Sequence, residues 1–120
     1  SATSKVVVWA KTPGSVAFTG NSKMTIGGSY LTVGGFTFKS GGTAVTSEAI
    51  TINGNNNRLT NTAILSYNHS TLTTDVKWVS IYGDHNRVDH CFFYNKMDAG
   101  PTVTVWLSSG VSVFHRMIKK

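Results

Sequence analysis

Three side chains in the second half of the chain, Lys77, Tyr82 and His90, are of types that give or take protons in catalysis. His90 directly follows Asp89, which could orient its imidazole as a base. We therefore predict Tyr82, Lys77 and His90 as catalytic residues. The alternative for Tyr82 and Lys77 is an exposed ladder that merely covers a sheet.

Two Asn-Arg pairs suggest a binding role beside these residues. Arg58 follows Asn57 in "NRLTNTAI" (57–64), and Arg87 follows Asn86 in "NRVDHCFF" (86–93). Stacked guanidinium groups could hold carboxylates in bidentate fashion, so Arg58 and Arg87 are predicted to bind substrate. The alternative is that they anchor turns by donating hydrogen bonds to neighbouring carbonyls.

Strand alternation extends the predicted site. In "KWVSIYG" (77–83) the apolar Val79 and Ile81 should point inward, which leaves the intervening side chains outside. The further predicted substrate-binding residues on this outer face are Trp78 and Ser80, with Asn53 beside Thr51 from an earlier repeat.

Metal ligands and a reactive thiol are not predicted. His85 and His90 lack a third ligand at a suitable spacing, which is a weak metal signal. Cys91 stands among apolar positions and is expected to be a small core residue rather than a nucleophile.

The elements that carry these residues form a repeat. Three stretches align: "MTIGGSYLTVGGFTF" (24–38), "ITINGNNNRLTNTAI" (50–64) and "VSIYGDHNRVDHCFF" (79–93). The matched columns are Ile26/Ile52/Ile81, Gly28/Gly54/Gly83, Val33/Leu59/Val88, Phe36/Thr62/Cys91 and Phe38/Ile64/Phe93.

Each repeat alternates apolar and polar residues with period two and contains a Gly, Asn or Asp turn. Short strands at this spacing suit an antiparallel sandwich or a solenoid. Columns of matched side chains favour the solenoid, because equivalent residues stack from coil to coil. We therefore predict an all-β fold: a single parallel β-helix domain over residues 1–120, with about four coils.

The net charge of +6 suits a polyanionic partner, although solubility alone would also explain it. The basic residues are scattered, and no platform of aromatic and basic residues appears apart from Trp78, Tyr82 and Trp106. A nucleic-acid partner is therefore not expected. No apolar run approaches the ~18 residues of a membrane helix, so no membrane partner is expected either.

Four stretches resemble polysaccharide lyase family 6, the alginate lyases and chondroitinase B. They are "TPGSVAFTG" (12–20), "YLTVGGFTFKSGG" (30–42), "NNNRLTNTAILSYN" (55–68) and "KWVSIYGDHNRVDHCFFYNKMDAGPTVTVWL" (77–107). The resemblance implies a right-handed parallel β-helix, cleavage of alginate by β-elimination, and a secreted or periplasmic location, although "SATSKVVVW" shows no signal peptide. The last stretch looks more like the alginate lyase branch.

The resemblance also implies a limit. In that family the catalytic Lys and Arg and the calcium ligands follow a second "HR[IV]DHxxF" motif, which begins here at His115-Arg116-Met117 and is not completed. The chain therefore resembles the N-terminal half of the family, and no cofactor is predicted from its own residues. By family coil position the outer face that carries Tyr82 is the substrate groove. The alternative function is a catalytically incomplete β-helix that binds anionic polysaccharide or self-assembles.

Assembly is a further expectation. An uncapped stack of coils exposes strand edges and apolar ends, so a homo-oligomer, either a trimer or a dimer, is predicted. The apolar side chains expected to drive association are Val111, Val113, Phe114, Met117 and Ile118.

Overall fold

The structure, a computed structural model of the chain, describes residues 6–12, 14–43, 48–69, 76–98 and 100–106. All regular structure in these ranges is β-strand. The strands are β1 (Val6–Trp9), β2 (Val16–Gly20), β3 (Met24–Ile26), β4 (Leu31–Gly34), β5 (Phe36–Gly41), β6 (Ile50–Ile52), β7 (Arg58–Thr60), β8 (Ala63–Leu65), β9 (Val79–Ile81), β10 (Arg87–Asp89), β11 (Phe92–Tyr94) and β12 (Val103–Val105).

These strands form three parallel sheets in which each strand pairs with the strand three places along the chain. The first sheet contains β1, β4, β7 and β10, the second β2, β5, β8 and β11, and the third β3, β6, β9 and β12. Three consecutive strands therefore make one coil, and the described chain makes four. The predicted parallel β-helix of about four coils is confirmed.

The registers reproduce the sequence columns. In the third sheet Ile26 pairs with Ile52 and Ile52 with Ile81. In the first sheet Leu59 pairs with both Val33 and Val88. Like side chains therefore stack along the axis, as a shared coil cross-section requires.

The core fills the space between the three sheets. Ile52, Leu59 and Ile64, one from each sheet of the same coil, are all fully buried. Removing such a side chain would leave a cavity that costs about 2–5 kcal/mol. Because the inward-facing side chains of each strand pack in the core, the outward-facing side chains are the ones that can contact a ligand.

Left-handed backbone recurs at the corners. Between the first and second sheets Gly35, Asn61 and His90 have φ of 86°, 48° and 50°. Gly, Asn and His are among the residues that tolerate this region best. Between the third and first sheets Asn56 and His85 adopt φ of 58° and 55°. Both histidines of the repeat therefore occupy corner positions that the coil geometry defines.

A ladder of side-chain amides lines the corner between the third and first sheets. Asn57 Nδ2 donates to Gly28 O at 2.8 Å, and Asn86 Nδ2 donates to Gly54 O at 2.8 Å. Glycine is required beside this ladder, because a Cβ on Gly54 would lie 1.6 Å from Gly28 O. The Asn-Arg repeat is thus first a structural device: the Asn joins coils and places the following Arg at the start of a strand.

The apolar residues expected to drive assembly, which lie between 111 and 118, fall outside the described residues, so homo-oligomer formation stays a prediction. Among the described residues no helix is long and apolar enough to cross a membrane.

Candidate functional site

The first set of charged side chains lies on the outer face of the first sheet. Arg58 Nε and Nη2 donate to Asp89 Oδ1 and Oδ2 at 3.1 and 2.8 Å. Arg87 Nε lies 2.9 Å from Asp89 Oδ2. We call Arg58, Arg87 and Asp89 the Asp89 cluster. Arg58 and Arg87 lie in one column, as predicted, since Arg87 pairs with Arg58 in register. Their shared partner is the chain's own carboxylate, rather than the neighbouring carbonyls considered as the alternative.

The cluster has a definite electrostatic balance. Burial raises the pKa of Asp89, but the hydrogen bonds donated by Arg58 and the charges of Arg58 and Arg87 outweigh this effect and lower the pKa to about 2. Asp89 therefore stays ionised and neutralises one of the two guanidinium charges. Both guanidinium groups are therefore already paired with Asp89, and this pairing competes with the binding of a substrate carboxylate.

His90 adjoins this cluster but not the other predicted catalytic residues. Its Nδ1 lies 3.4 Å from Asp89 Oδ2, and its side chain is exposed. Lys77 and Tyr82 flank β9 of the third sheet, whereas His90 follows β10 of the first sheet. The structure therefore does not bring the three predicted catalytic residues together.

The second group lies on the outer face of the third sheet. The rings of Tyr82 and Trp106 are nearly parallel, with centroids 5.8 Å apart and 5° between their planes. Lys77 Nζ lies 5.6 Å from the centroid of the Trp106 ring, within range of a cation–π contact. Lys77 and Tyr82 thus belong to one surface, as predicted.

Glu48 completes this surface. The Tyr82 hydroxyl donates to Glu48 Oε2 at 3.3 Å, and Thr51 Oγ1 donates to Glu48 Oε1 at 3.4 Å. Burial, followed by the charge of Glu48 and its hydrogen bond, raises the pKa of Tyr82. The phenol is therefore held protonated, as a donor. We call Glu48, Lys77, Tyr82 and Trp106 the Tyr82 shelf.

Two predicted members of this face are buried. Trp78 is fully buried. It lies just before β9, where the N–H groups of Trp78 and Val79 both donate to Thr102 O. The alternation of inward and outward side chains that holds within a strand therefore does not extend to Trp78. The Trp78 indole also donates to Tyr67 O at 3.0 Å. Ser80 is fully buried as well, in the middle of a packed column. The expectation that Trp78 and Ser80 are exposed for substrate binding is wrong.

Asn53 is exposed, as expected, and its N–H donates to Ile26 O at 2.9 Å. Its proposed contact with substrate stays a prediction.

Cys91 packs against the core, and burial raises its pKa to about 11, which suits the inert role expected of it.

The sequence analysis missed two members of the shelf as site residues. Trp106 follows β12, whose Val105 pairs with Ile81, so extending the register by one residue places Trp106 beside Tyr82. Glu48 lies in the connection before β6, where no periodicity exists to locate it.

Calcium, which the family resemblance implies, finds no candidate site in the described ranges. No group of three or more His, Cys, Asp or Glu side chains there could hold a metal ion. The residues in these ranges therefore do not fit the ion.

The family model for Chondroitinase B matches residues 1–120. The chain belongs to this family. No curated protein matches the sequence significantly.

The solved structures that match this chain over most of its length include two PL6 enzymes. The polysaccharide lyase Pedsa3628 from Pseudopedobacter saltans matches at 30% identity with a TM-score of 0.83, covering 88% of this chain and 24% of that one. The alginate lyase AlyGC matches at 30% identity with a TM-score of 0.86, covering 93% of this chain and 16% of that one. This chain therefore spans a quarter or less of either enzyme.

Proposed function

We propose that the protein is a polysaccharide lyase that cleaves a uronate-containing polysaccharide, alginate, by β-elimination. Membership of the Chondroitinase B family is the observation that carries the proposal. Alginate is the substrate because one structural neighbour is an alginate lyase, and because the net charge of +6 suits a polyanion. A secreted or periplasmic location, where such a polymer is met, belongs to the same proposal.

The Tyr82 shelf contains a candidate group for each role that this reaction needs. β-Elimination requires a cation that neutralises the uronate carboxylate, a base that removes the C5 proton, and an acid that protonates the leaving oxygen. Lys77 suits the first role, and Tyr82 suits the third because its raised pKa keeps the proton available. Glu48, which accepts the Tyr82 hydrogen bond, is the carboxylate of the shelf and suits the base.

The direct test is ultraviolet absorbance of the unsaturated product after mixing the purified 120-residue protein with alginate. We expect a rise, and Tyr82→Phe, which keeps the ring but loses the donor, should reduce it about 100-fold. Tyr94→Phe is the matched control, because it removes an exposed phenol hydroxyl from the second sheet. Absence of any rise, where an intact PL6 lyase gives one, would rule out the lyase activity.

One observation favours a second candidate function, a non-catalytic β-helix that binds anionic polysaccharide. The predicted trio of Lys77, Tyr82 and His90 is divided between the outer faces of two sheets. Retention on immobilised alginate that is lost at high salt, without product formation, would support this candidate.

A further inference from the structure

We infer that the Tyr82 shelf contains a sugar-stacking subsite, in which Trp106 receives the apolar face of one uronate ring and Lys77 pairs with its carboxylate. The inference rests on the proposed function for the class of polymer. It adds a residue, Trp106, and a binding role that does not depend on cleavage.

The aromatic pair is the first observation. Rings in full face-to-face contact would lie about 3.5–4 Å apart, so centroids 5.8 Å apart show that Tyr82 and Trp106 are not in full face-to-face contact. Both residues are 40% exposed. Part of the aromatic surface is therefore open to a ligand and is held rigid by the stack, which limits the entropy lost on binding.

The polar groups around the rings are the second observation. Lys77 places a positive charge against the Trp106 ring, while Glu48 places a hydrogen-bond acceptor at the far end of Tyr82. A uronate ring presents a matching set: an apolar face, hydroxyl donors and one carboxylate.

A second aromatic pair on the surface shows why this combination matters. Phe92 and Tyr94 are also parallel, with centroids 6.2 Å apart and 60% and 59% exposed. Among the described residues the cation–π contact is made at Trp106 and not at this pair. The Phe92–Tyr94 pair therefore offers ring surface without the charges that would select an acidic sugar.

Single-stranded nucleic acid also stacks on aromatic rings, but the shelf disfavours it. Nucleic-acid binding needs several cations on successive phosphates, whereas a single cation, Lys77, contacts the described shelf. The Glu48 carboxylate would repel a phosphate placed beside Tyr82.

The test is calorimetric titration of the folded 120-residue protein with saturated alginate oligosaccharides. Trp106→Ala should weaken binding about tenfold. Lys77→Met should weaken it about two- to fivefold and reduce its salt dependence, with no effect on a neutral oligosaccharide. Phe92→Ala, the matched aromatic control, should leave the affinity unchanged. Circular dichroism of each variant verifies folding, and Lys77→Met carries the test if Trp106→Ala does not fold.

Several outcomes would overturn the subsite: unchanged affinity in Trp106→Ala, an equal loss in Phe92→Ala, or tighter binding of an oligothymidylate than of the uronate oligosaccharide. The lyase proposal fails separately. Binding that depends on Trp106 without product formation leaves the subsite standing, whereas product formation with unchanged binding in Trp106→Ala leaves the lyase standing alone.

Discussion

The Asp89 cluster and the Tyr82 shelf are two polar groups on the outer faces of neighbouring sheets, and they use their charges in opposite ways. In the cluster, Asp89 is buried, accepts two hydrogen bonds from Arg58 and forms an ion pair with Arg87. In the shelf, the Lys77 ammonium lies over the Trp106 ring. The Glu48 carboxylate accepts two long hydrogen bonds, from the hydroxyl groups of Thr51 and Tyr82. Charges satisfied inside the molecule stabilise it, whereas charges left partly open are available to a ligand.

The largest expected effect is the loss of the cluster's carboxylate. Asp89→Ala should lower the free energy of unfolding by about 2–3 kcal/mol, because it leaves two guanidinium groups without their partner. Urea denaturation measures this change. In the shelf, Glu48→Ala is the matched carboxylate deletion, and an equal loss there would contradict the division between the two groups.

Acid should weaken the cluster in a defined window. The folded pKa of Asp89, about 2, lies below its ordinary value of 3.8, so its contribution is complete above pH 3.8 and is lost as the pH falls towards 2. At about 1.4 kcal/mol per pKa unit this contribution is about 2 kcal/mol, and salt should reduce it because both arginines are partly exposed.

Unfolding curves of the native protein and of Asp89→Asn, recorded across this pH range, test the assignment. The difference in stability between them should shrink towards low pH. A difference that stays constant would show that Asp89 is not the titrating group.

The two arginines should contribute unequally. Arg58 donates two hydrogen bonds to Asp89, whereas Arg87 forms only an ion pair with it, and the Arg87 side chain is the more exposed. We expect Arg58→Ala to cost about 1 kcal/mol and Arg87→Ala about 0.5 kcal/mol. Thermal unfolding of both variants measures the order, and a larger loss for Arg87→Ala would reverse the assignment.

The smallest effect on stability should come from Glu48→Gln, within about 0.5 kcal/mol. The same change should lower the pKa of Tyr82, because the charge of Glu48 is one cause of its rise after burial. Ultraviolet titration of the phenol, with Tyr82→Phe subtracted, reports this pKa. An unchanged value would separate Glu48 from Tyr82.

The sequence predicted the scaffold well because stacking imposes a repeated pattern on it. The Ile26/Ile52/Ile81 column and the parallel pairing of Arg58 with Arg87 follow from that pattern. The same pattern places Asp89 two residues after Arg87, on the same face of the strand. The sequence could therefore also have identified Asp89 as the partner of both arginines.

The pattern ends where the strands end, and the prediction for Trp78 failed there. Trp78 lies one residue before β9, so alternation assigned it the wrong environment. Glu48 lies in a connection, where only the folded chain shows which hydroxyls it meets. Positions set by a period can be read from sequence, but positions set by a loop cannot.

The connections between the second and third sheets differ in length more than the other corners do. Residues 42–49 separate β5 from β6, whereas residues 66–78 separate β8 from β9. The corner with the amide ladder stays nearly constant, at 53–57 and 82–86. Added length therefore enters at one side of each coil without shifting the stack, and loop length carries only a small entropic cost. Glu48 and Lys77 both lie in these variable connections, so loop grafting at this one corner could change ligand preference while every coil keeps its place.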